Sequence, residues 1–282
     1  MPNQVGYVDN SSGLAHHAML AAIKSMCEGA GWTTLRYDTA SAIREWIAEA
    51  PGYTGPDGQV KAYVGMRAYH SVASDYYNLS VAAFTGYVSG NSFTTQPGYA
   101  ESGIPAHNNR IDYWMTVNNR RLAFALKVGT PVYESGYAGF FLPYATPRQY
   151  PYPMVCGGML TGIAATRFSD TSHFMPYKGG SAGFLTRFVD GTYKQLDVYP
   201  WSNTYLGTGT YGARPANTYY PVVRAVSHGS ANVYGELDGI AQITGYDNAV
   251  ENTLTIDGKT YVVIQDVYRT GFDDYYAMTL DP

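Results

Sequence analysis

The hydrophobic pattern near the N-terminus has a helical period. Met19, Leu20, Ile23, Met26, Cys27 and Ala30 recur on one face of residues 11–30, a spacing that predicts an amphipathic helix. Ser11 and Ser12 offer N-caps, and Gly29 and Gly31 supply the stop. Ile43, Trp46, Ile47 and Ala50 repeat the period over Ser41–Ala50, so a second helix is expected there, ended by Pro51-Gly52. Between the two, Trp32–Tyr37 reads as a short strand.

From residue 53 the pattern is that of β-structure. Gln59–Ser71 and Tyr76–Val88 are rich in Tyr, Val and Phe and read as strands. Gly90–Asn109 carries few large aliphatics and reads as a long loop. Tyr113–Val117 and Arg120–Val128 flank Asn118-Asn119, a pair that tolerates the positive φ of a tight hairpin. Tyr133–Leu142 follows as a strand in which Gly136 and Gly139 suggest a bulge or a close backbone approach. Four prolines within Pro143–Pro153 forbid regular structure, so this stretch is read as an extended connector. Residues 154–235 read as short strands and Gly-rich turns such as Gly179-Gly180, with Gly207–Gly212 as a loop. Gly239–Gly245, Leu254–Ile256, Tyr261–Ile264 and Tyr275–Leu280 make a C-terminal meander around an Asp257-Gly258 turn. The expected fold is α+β and mostly β: two N-terminal helices packed on antiparallel sheet, then loop-rich short strands and the meander. The connector divides it into an α+β domain over 1–150 and a β-rich domain over 151–282, with one continuous domain as the alternative.

Composition narrows the class. The chain has 282 residues, enough to bury a core without staples. Charged residues are 14% and the net charge is -4, which argues against disorder and against bulk attraction for nucleic acid. No apolar run approaches the length of a membrane helix. The first residues, Met1–Tyr7, lack the basic and apolar regions of a secretory signal. Cys27 and Cys156 have no CxxC partner and read as two buried free thiols. The outstanding excess is in Tyr: 28 residues, against 10 Phe and 4 Trp. Tyr suits strands and surfaces covered by a partner.

Candidate chemistry is sparse. His16 and His17 are neighbours on the first helix, point in different directions, and read as exposed or interfacial rather than as zinc ligands. Asp170 and His173 place an acid and a base close together, and Ser227-His228 adds a second pair. No Gly-x-Ser-x-Gly elbow accompanies them, and both segments read as turns. Asp273-Asp274, with Asp266 upstream, reads as a turn before the last strand. No Gly-rich stretch has a nucleotide-binding pattern. Arg110, Arg120 and Arg121 form a small basic patch suited to the rim of an acidic partner. No catalytic, cofactor or metal residues are assigned.

The segments Tyr113–Val128, Tyr133–Pro147, Tyr150–Pro153, Glu251–Leu254 and Tyr268–Gly271 carry a resemblance. Their phrasing resembles virion structural proteins from the head–tail and tail modules of tailed bacteriophages. That resemblance implies a non-enzymatic subunit of the neck, collar, tail or baseplate. It implies a homo-oligomeric ring of about six copies, neighbouring phage proteins as partners, and assembly in the host cytoplasm. Membranes and sequence-specific nucleic acid are not expected partners. Tyr99, Arg120, Arg121, Tyr144, Tyr150 and Tyr152 are the candidate interface residues. Two alternatives remain beside it. One is a tail-fibre or receptor-binding module that stacks host glycan on Trp114, Trp201 or Tyr205; the other is a hydrolase built on Asp170/His173 or Ser227/His228.

Overall fold

The computed structural model describes residues 3–55, 57–129, 131–178, 183–201, 223–229, 232–245, 248–256, 258–271 and 273–281. The chain begins with β1 (Asn3–Val8), helix α1 (Ala15–Gly29), β2 (Thr33–Asp38) and β3 (Arg44–Gly55). Next come β4 (Gly58–Ser71), β5 (Tyr76–Phe84), β6 (Ala100–Ala106), β7 (Ile111–Val117) and β8 (Arg121–Lys127). The middle supplies β9 (Tyr133–Phe140), β10 (Leu142–Pro143), β11 (Met154–Gly157), β12 (Leu160–Thr161) and β13 (Phe184–Arg187). Then follow β14 (Tyr193–Gln195), β15 (Asp197–Tyr199), β16 (Val223–Gly229) and β17 (Asn232–Gln242). The last strands are β18 (Thr253–Ile256), β19 (Lys259–Gln265) and β20 (Tyr275–Thr279).

These strands form three antiparallel sheets. The N-terminal sheet has the order β12-β6-β5-β4-β3-β2, and the central sheet the order β1-β7-β8-β9-β11-β13-β14. The C-terminal sheet runs β15-β16-β17-β20-β19-β18, with β10 added to β17. Strands from both sides of the Pro-rich connector therefore share the central sheet.

Side-chain alternation stacks the sheets in layers. Tyr113, Met115, Val117, Leu122, Phe124 and Leu126 of the central sheet face one core, together with Trp46, Val64, Met66 and Val81 of the N-terminal sheet. Trp114, Ala123, Ala125, Tyr133 and Tyr137 face the opposite way, onto Ile240, Val262, Ile264, Tyr276 and Met278 of the C-terminal sheet. The central sheet is thus buried on both faces, which is why its strands read as unbroken apolar runs. Helix α1 adds Met19, Leu20, Ile23 and Met26 to the first core.

The expectation of two N-terminal helices on a sheet is overturned: strand makes up 51% of the described residues, and α1 is the one α-helix among them. Ser41–Ala50 belongs largely to β3. Trp46, Ala48 and Ala50 face the main core, while Ile47 faces a second cluster with Phe84 and Phe93. A strand covered on both faces presents apolar residues without strict alternation, and here their spacing imitates a helix. Pro51-Gly52 is a bulge rather than a stop. The β3–β4 register shifts between Ala50 and Tyr53. Gly52 has φ +73, and a Cβ there would lie 1.8 Å from the Val60 carbonyl oxygen.

Smaller corrections follow the same logic. Within Gly90–Asn109, β6 pairs with β5 from Ala83↔Ala100 to Tyr77↔Ala106. Its small residues, Ala-Glu-Ser-Gly, had concealed a buried strand. Leu14, not Ser11 or Ser12, precedes α1, and no side chain caps it. Its end matches expectation: Gly31 has φ +88, with Trp32 N–H donating to Cys27 O and Gly31 N–H to Glu28 O, a Schellman closure. The Asn118-Asn119 hairpin forms without positive φ at either Asn. Instead the Asn118 side-chain oxygen accepts from the N–H groups of Arg120 and Arg121 at 3.0 Å each. Both cysteines are buried and free. No helix among the described residues is long and apolar enough to cross a membrane.

Candidate functional site

The six interface candidates fall in different environments. Tyr144 is 58% exposed, its hydroxyl 3.2 Å from Glu236. Tyr152 is half-buried under the Arg187 guanidinium, and Tyr150 is buried with its hydroxyl donating to the Arg187 carbonyl. Tyr99 is half-buried and donates to Glu101 at 2.6 Å. Arg120 lies 3.2 Å from Asp238. Arg121 is fully buried, donates to the Thr116 carbonyl and hydroxyl at 3.1 Å, and also faces Asp238. Burial would raise the Asp238 pKa, but Arg121, Asn118 and Arg120 together hold it below the ordinary value. Arg120 and Arg121 thus brace the hairpin onto β17. Arg110 is the arginine of this patch that faces solvent, over the Tyr7 ring and 2.7 Å from Asp112.

The proposed acid–base pairs resolve into structural contacts. The Asp170 carboxylate accepts from the Arg167 N–H at 3.1 Å. His173 instead sits with Nδ1 on the Asp170 carbonyl and Nε2 on the Glu134 carboxylate, both at 2.9 Å. Burial pushes the Glu134 pKa up to about 7. Burial acts to lower His173, yet its hydrogen bond and charge attraction to Glu134 prevail and raise it. Both ring nitrogens are therefore occupied, and Glu134 in β9 is the partner that sequence spacing missed. Asp266 accepts from the Met175 N–H at 2.6 Å and lies within 3.3 Å of Lys178 and 3.4 Å of Arg269. Asp274 shares the same lysine and closes the turn before β20 by accepting from the Gly271 N–H.

A second charged network lies in the N-terminal sheet. Glu101 of β6 takes two hydrogen bonds from Arg67 of β4, one from Ser80 of β5 at 2.5 Å and one from Tyr99. It is a closed, fully satisfied knot of side chains. Of the glycan-stacking candidates, Trp114 is 9% exposed in the second core and Trp201 packs 6.2 Å from Tyr177. Tyr205 and the loop at Gly207–Gly212 lie outside the described residues, as do Gly179-Gly180, Asp257 and the side chains of Ser227 and His228.

One cluster contradicts its expected placement. His16 and His17 are buried, at 0% and 8% exposure, and meet His70 near the end of β4. Ring centroids lie 4.2 Å apart for His16–His17, 5.2 Å for His16–His70 and 5.3 Å for His17–His70. Consecutive helical positions diverge, yet the His70 ring lies about equally far from both. Both nitrogens of His16, Nε2 of His17 and Nδ1 of His70 have no hydrogen-bond partner among the described residues. Each such buried atom costs about 1–3 kcal/mol. Burial foremost, then the neighbouring imidazoles and Arg44, pushes His16 down to about 2. Burial and the charges of Arg44 and His70 push His17 down to about 4. His70 is lowered by burial and Arg44. Tyr77 stacks on His70 and meets His16 edge-on. The same Tyr77 lines a cavity of about 250 Å³ with His107, Arg167 and Phe168. Only the β4 register brings His70 to the helix, so the sequence carried half of this signal, the adjacent pair.

No known family's sequence profile matches the chain, and no curated protein matches it.

Proposed function

We propose that this chain is a non-enzymatic structural subunit of a tailed-bacteriophage virion, placed in the neck or tail region and assembled as a homo-oligomeric ring. The observation that supports this reading is the edge of the central sheet. Among the described residues β1 pairs only with β7, which leaves its other backbone edge without a described partner strand. On it, Val5 and Tyr7 are 58% and 55% exposed, apolar side chains two residues apart on one side of the strand. Open edges with apolar residues favour pairing with another chain, and monomeric proteins guard them with charge or proline. The carboxylates of Glu101, Glu134, Asp238 and Asp266, meanwhile, are tied into braces between chain segments. The site that acts is then a surface, and its work is assembly with copies of itself and with neighbouring phage proteins.

Sedimentation velocity of the purified chain tests the reading. A closed oligomer of about six copies is expected, and Val5→Lys/Tyr7→Lys should shift it towards monomer without changing far-UV circular dichroism. A monodisperse monomer at tens of micromolar, or an oligomer indifferent to the double substitution, overturns the assignment of this edge. Absence of the chain from purified particles overturns the virion assignment itself.

A further inference from the structure

We infer that His16, His17 and His70 form a binding site for one borderline divalent transition-metal ion, zinc in the first instance, which staples the first turn of α1 to β4. The three side chains each offer a ligand atom, and these atoms lie within 4.8 Å of one another. In a tetrahedral zinc site Zn–N is about 2.0–2.1 Å, so closing the three imidazoles around an ion requires each to move inward by less than about 1 Å. His16 is fully buried, and neither of its ring nitrogens has a partner among the described residues, so buried polar groups here await a ligand.

The donor set indicates the metal. Three neutral imidazoles with no thiolate or carboxylate suit zinc, nickel or copper and give little to magnesium or calcium. Imidazole ligates in its neutral form, and the burial of His16 and His17 favours that form. Arg44 is the charged group felt at each ring. Its positive charge favours an anionic fourth ligand, hydroxide or chloride, in the position that three histidines leave open. Tyr77 meets the His16 ring edge-on and stacks on His70, so it walls the cluster on one side. This inference stands independently of the virion assignment.

The test uses the untagged full chain, stripped with chelator, equilibrated with zinc and dialysed. One zinc per chain is expected by elemental analysis, with a higher melting temperature than the stripped protein. Cobalt in place of zinc should give the visible absorption of a tetrahedral nitrogen–oxygen site. His70→Ala replaces the half-buried ligand and should weaken zinc binding by more than about 10-fold, since even outer-shell substitutions cost 10–100-fold. His107→Ala should leave it unchanged. If His70→Ala does not fold, the wild-type metal count and cobalt spectrum decide. Substoichiometric zinc in the dialysed wild type, or equal binding by wild type and a folded His70→Ala, overturns the site.

Discussion

Replacing Glu101 by Leu should be among the most damaging single changes in the N-terminal sheet. Its carboxylate is buried and accepts two hydrogen bonds from Arg67, one from Ser80 and one from Tyr99. Removing it leaves the Arg67 guanidinium, itself 7% exposed, with only a 3.9 Å approach to Glu45 and the face of the Phe93 ring at 4.6 Å. Breaking a buried ion pair by losing one partner costs about 3–5 kcal/mol, because the remaining charge stays desolvated. With a urea m-value of about 3 kcal/mol/M, that loss lowers the unfolding midpoint by about 1–1.7 M. Arg67→Met alone strands the carboxylate but leaves it the Ser80 and Tyr99 hydroxyls, so its cost should be smaller. The double variant Arg67→Met/Glu101→Leu removes both charges and should recover most of the loss, since apolar replacement of a whole buried pair is often neutral. The assay is equilibrium urea unfolding of all four proteins, followed by Trp fluorescence and circular dichroism, with the coupling energy taken from the cycle. A loss under about 1 kcal/mol for Glu101→Leu, or a double variant no better than the single, refutes the reasoning.

Two further predictions follow from individual sites. Gly139→Ala places a methyl group 2.2 Å from the Arg120 carbonyl oxygen at φ +119; a cost of about 1–3 kcal/mol is expected in the same urea assay. The second concerns pH. His16 and His17 are held near 2 and 4 in the folded chain against about 6.5 when unfolded, so their contribution is complete above pH 6.5 and is lost as pH falls. At pH 5 each costs about 2 kcal/mol, from 1.36 kcal/mol per unit over about 1.5 units. The raised pKa values of Glu134 and His173 act in the opposite sense, strengthening the fold as pH falls. They cancel in a comparison between chelated wild type and His16→Gln/His17→Gln, whose stability should fall less between pH 7 and 5; equal losses would sink the reading.

What could be read in the sequence was whatever local chemistry determines. α1, the β7–β8 hairpin, the β4–β5 pair and the C-terminal strands all carry their own periodicity or turn residues. The lost information is that which depends on layers. β3 looked helical because Trp46 and Ile47 are both buried, one on each face of its sheet. β6 looked like loop because its Glu101, Ser102 and Gly103 are tolerated only inside a sheet that satisfies or approaches them. His70 meets His16 and His17 through a strand register, and Glu134 meets His173 across two chain segments. None of these pairings leaves a mark at fixed spacing. The hairpin at Asn118 was found for an incomplete reason: Asn serves there through its side-chain oxygen, not through a left-handed backbone.

The layered architecture also changes what the tyrosines mean. Read from composition alone, many Tyr and few charges suggested a surface made for partners. In the folded chain Tyr69, Tyr113, Tyr133, Tyr137, Tyr150, Tyr177, Tyr275 and Tyr276 are buried, whereas Tyr7, Tyr37, Tyr144 and Tyr268 are the exposed tyrosines among the described residues. Stacked sheets lie about 10 Å apart, a gap that a large flat ring fills well. A buried hydroxyl then needs an acceptor, and the sheets supply several: Tyr276 meets Ser135 at 2.7 Å, Tyr137 reaches the Phe140 carbonyl at 3.1 Å, and half-buried Tyr53 reaches the Pro151 carbonyl at 2.6 Å. A central sheet whose inner strands β7, β8, β9 and β11 are buried on both faces has little room for charge, so the low charge follows from the same geometry. The buried tyrosines are therefore explained by the fold itself and carry no weight for assembly. The argument for assembly rests on the open edge of β1, where Val5 and Tyr7 can be changed without touching either core.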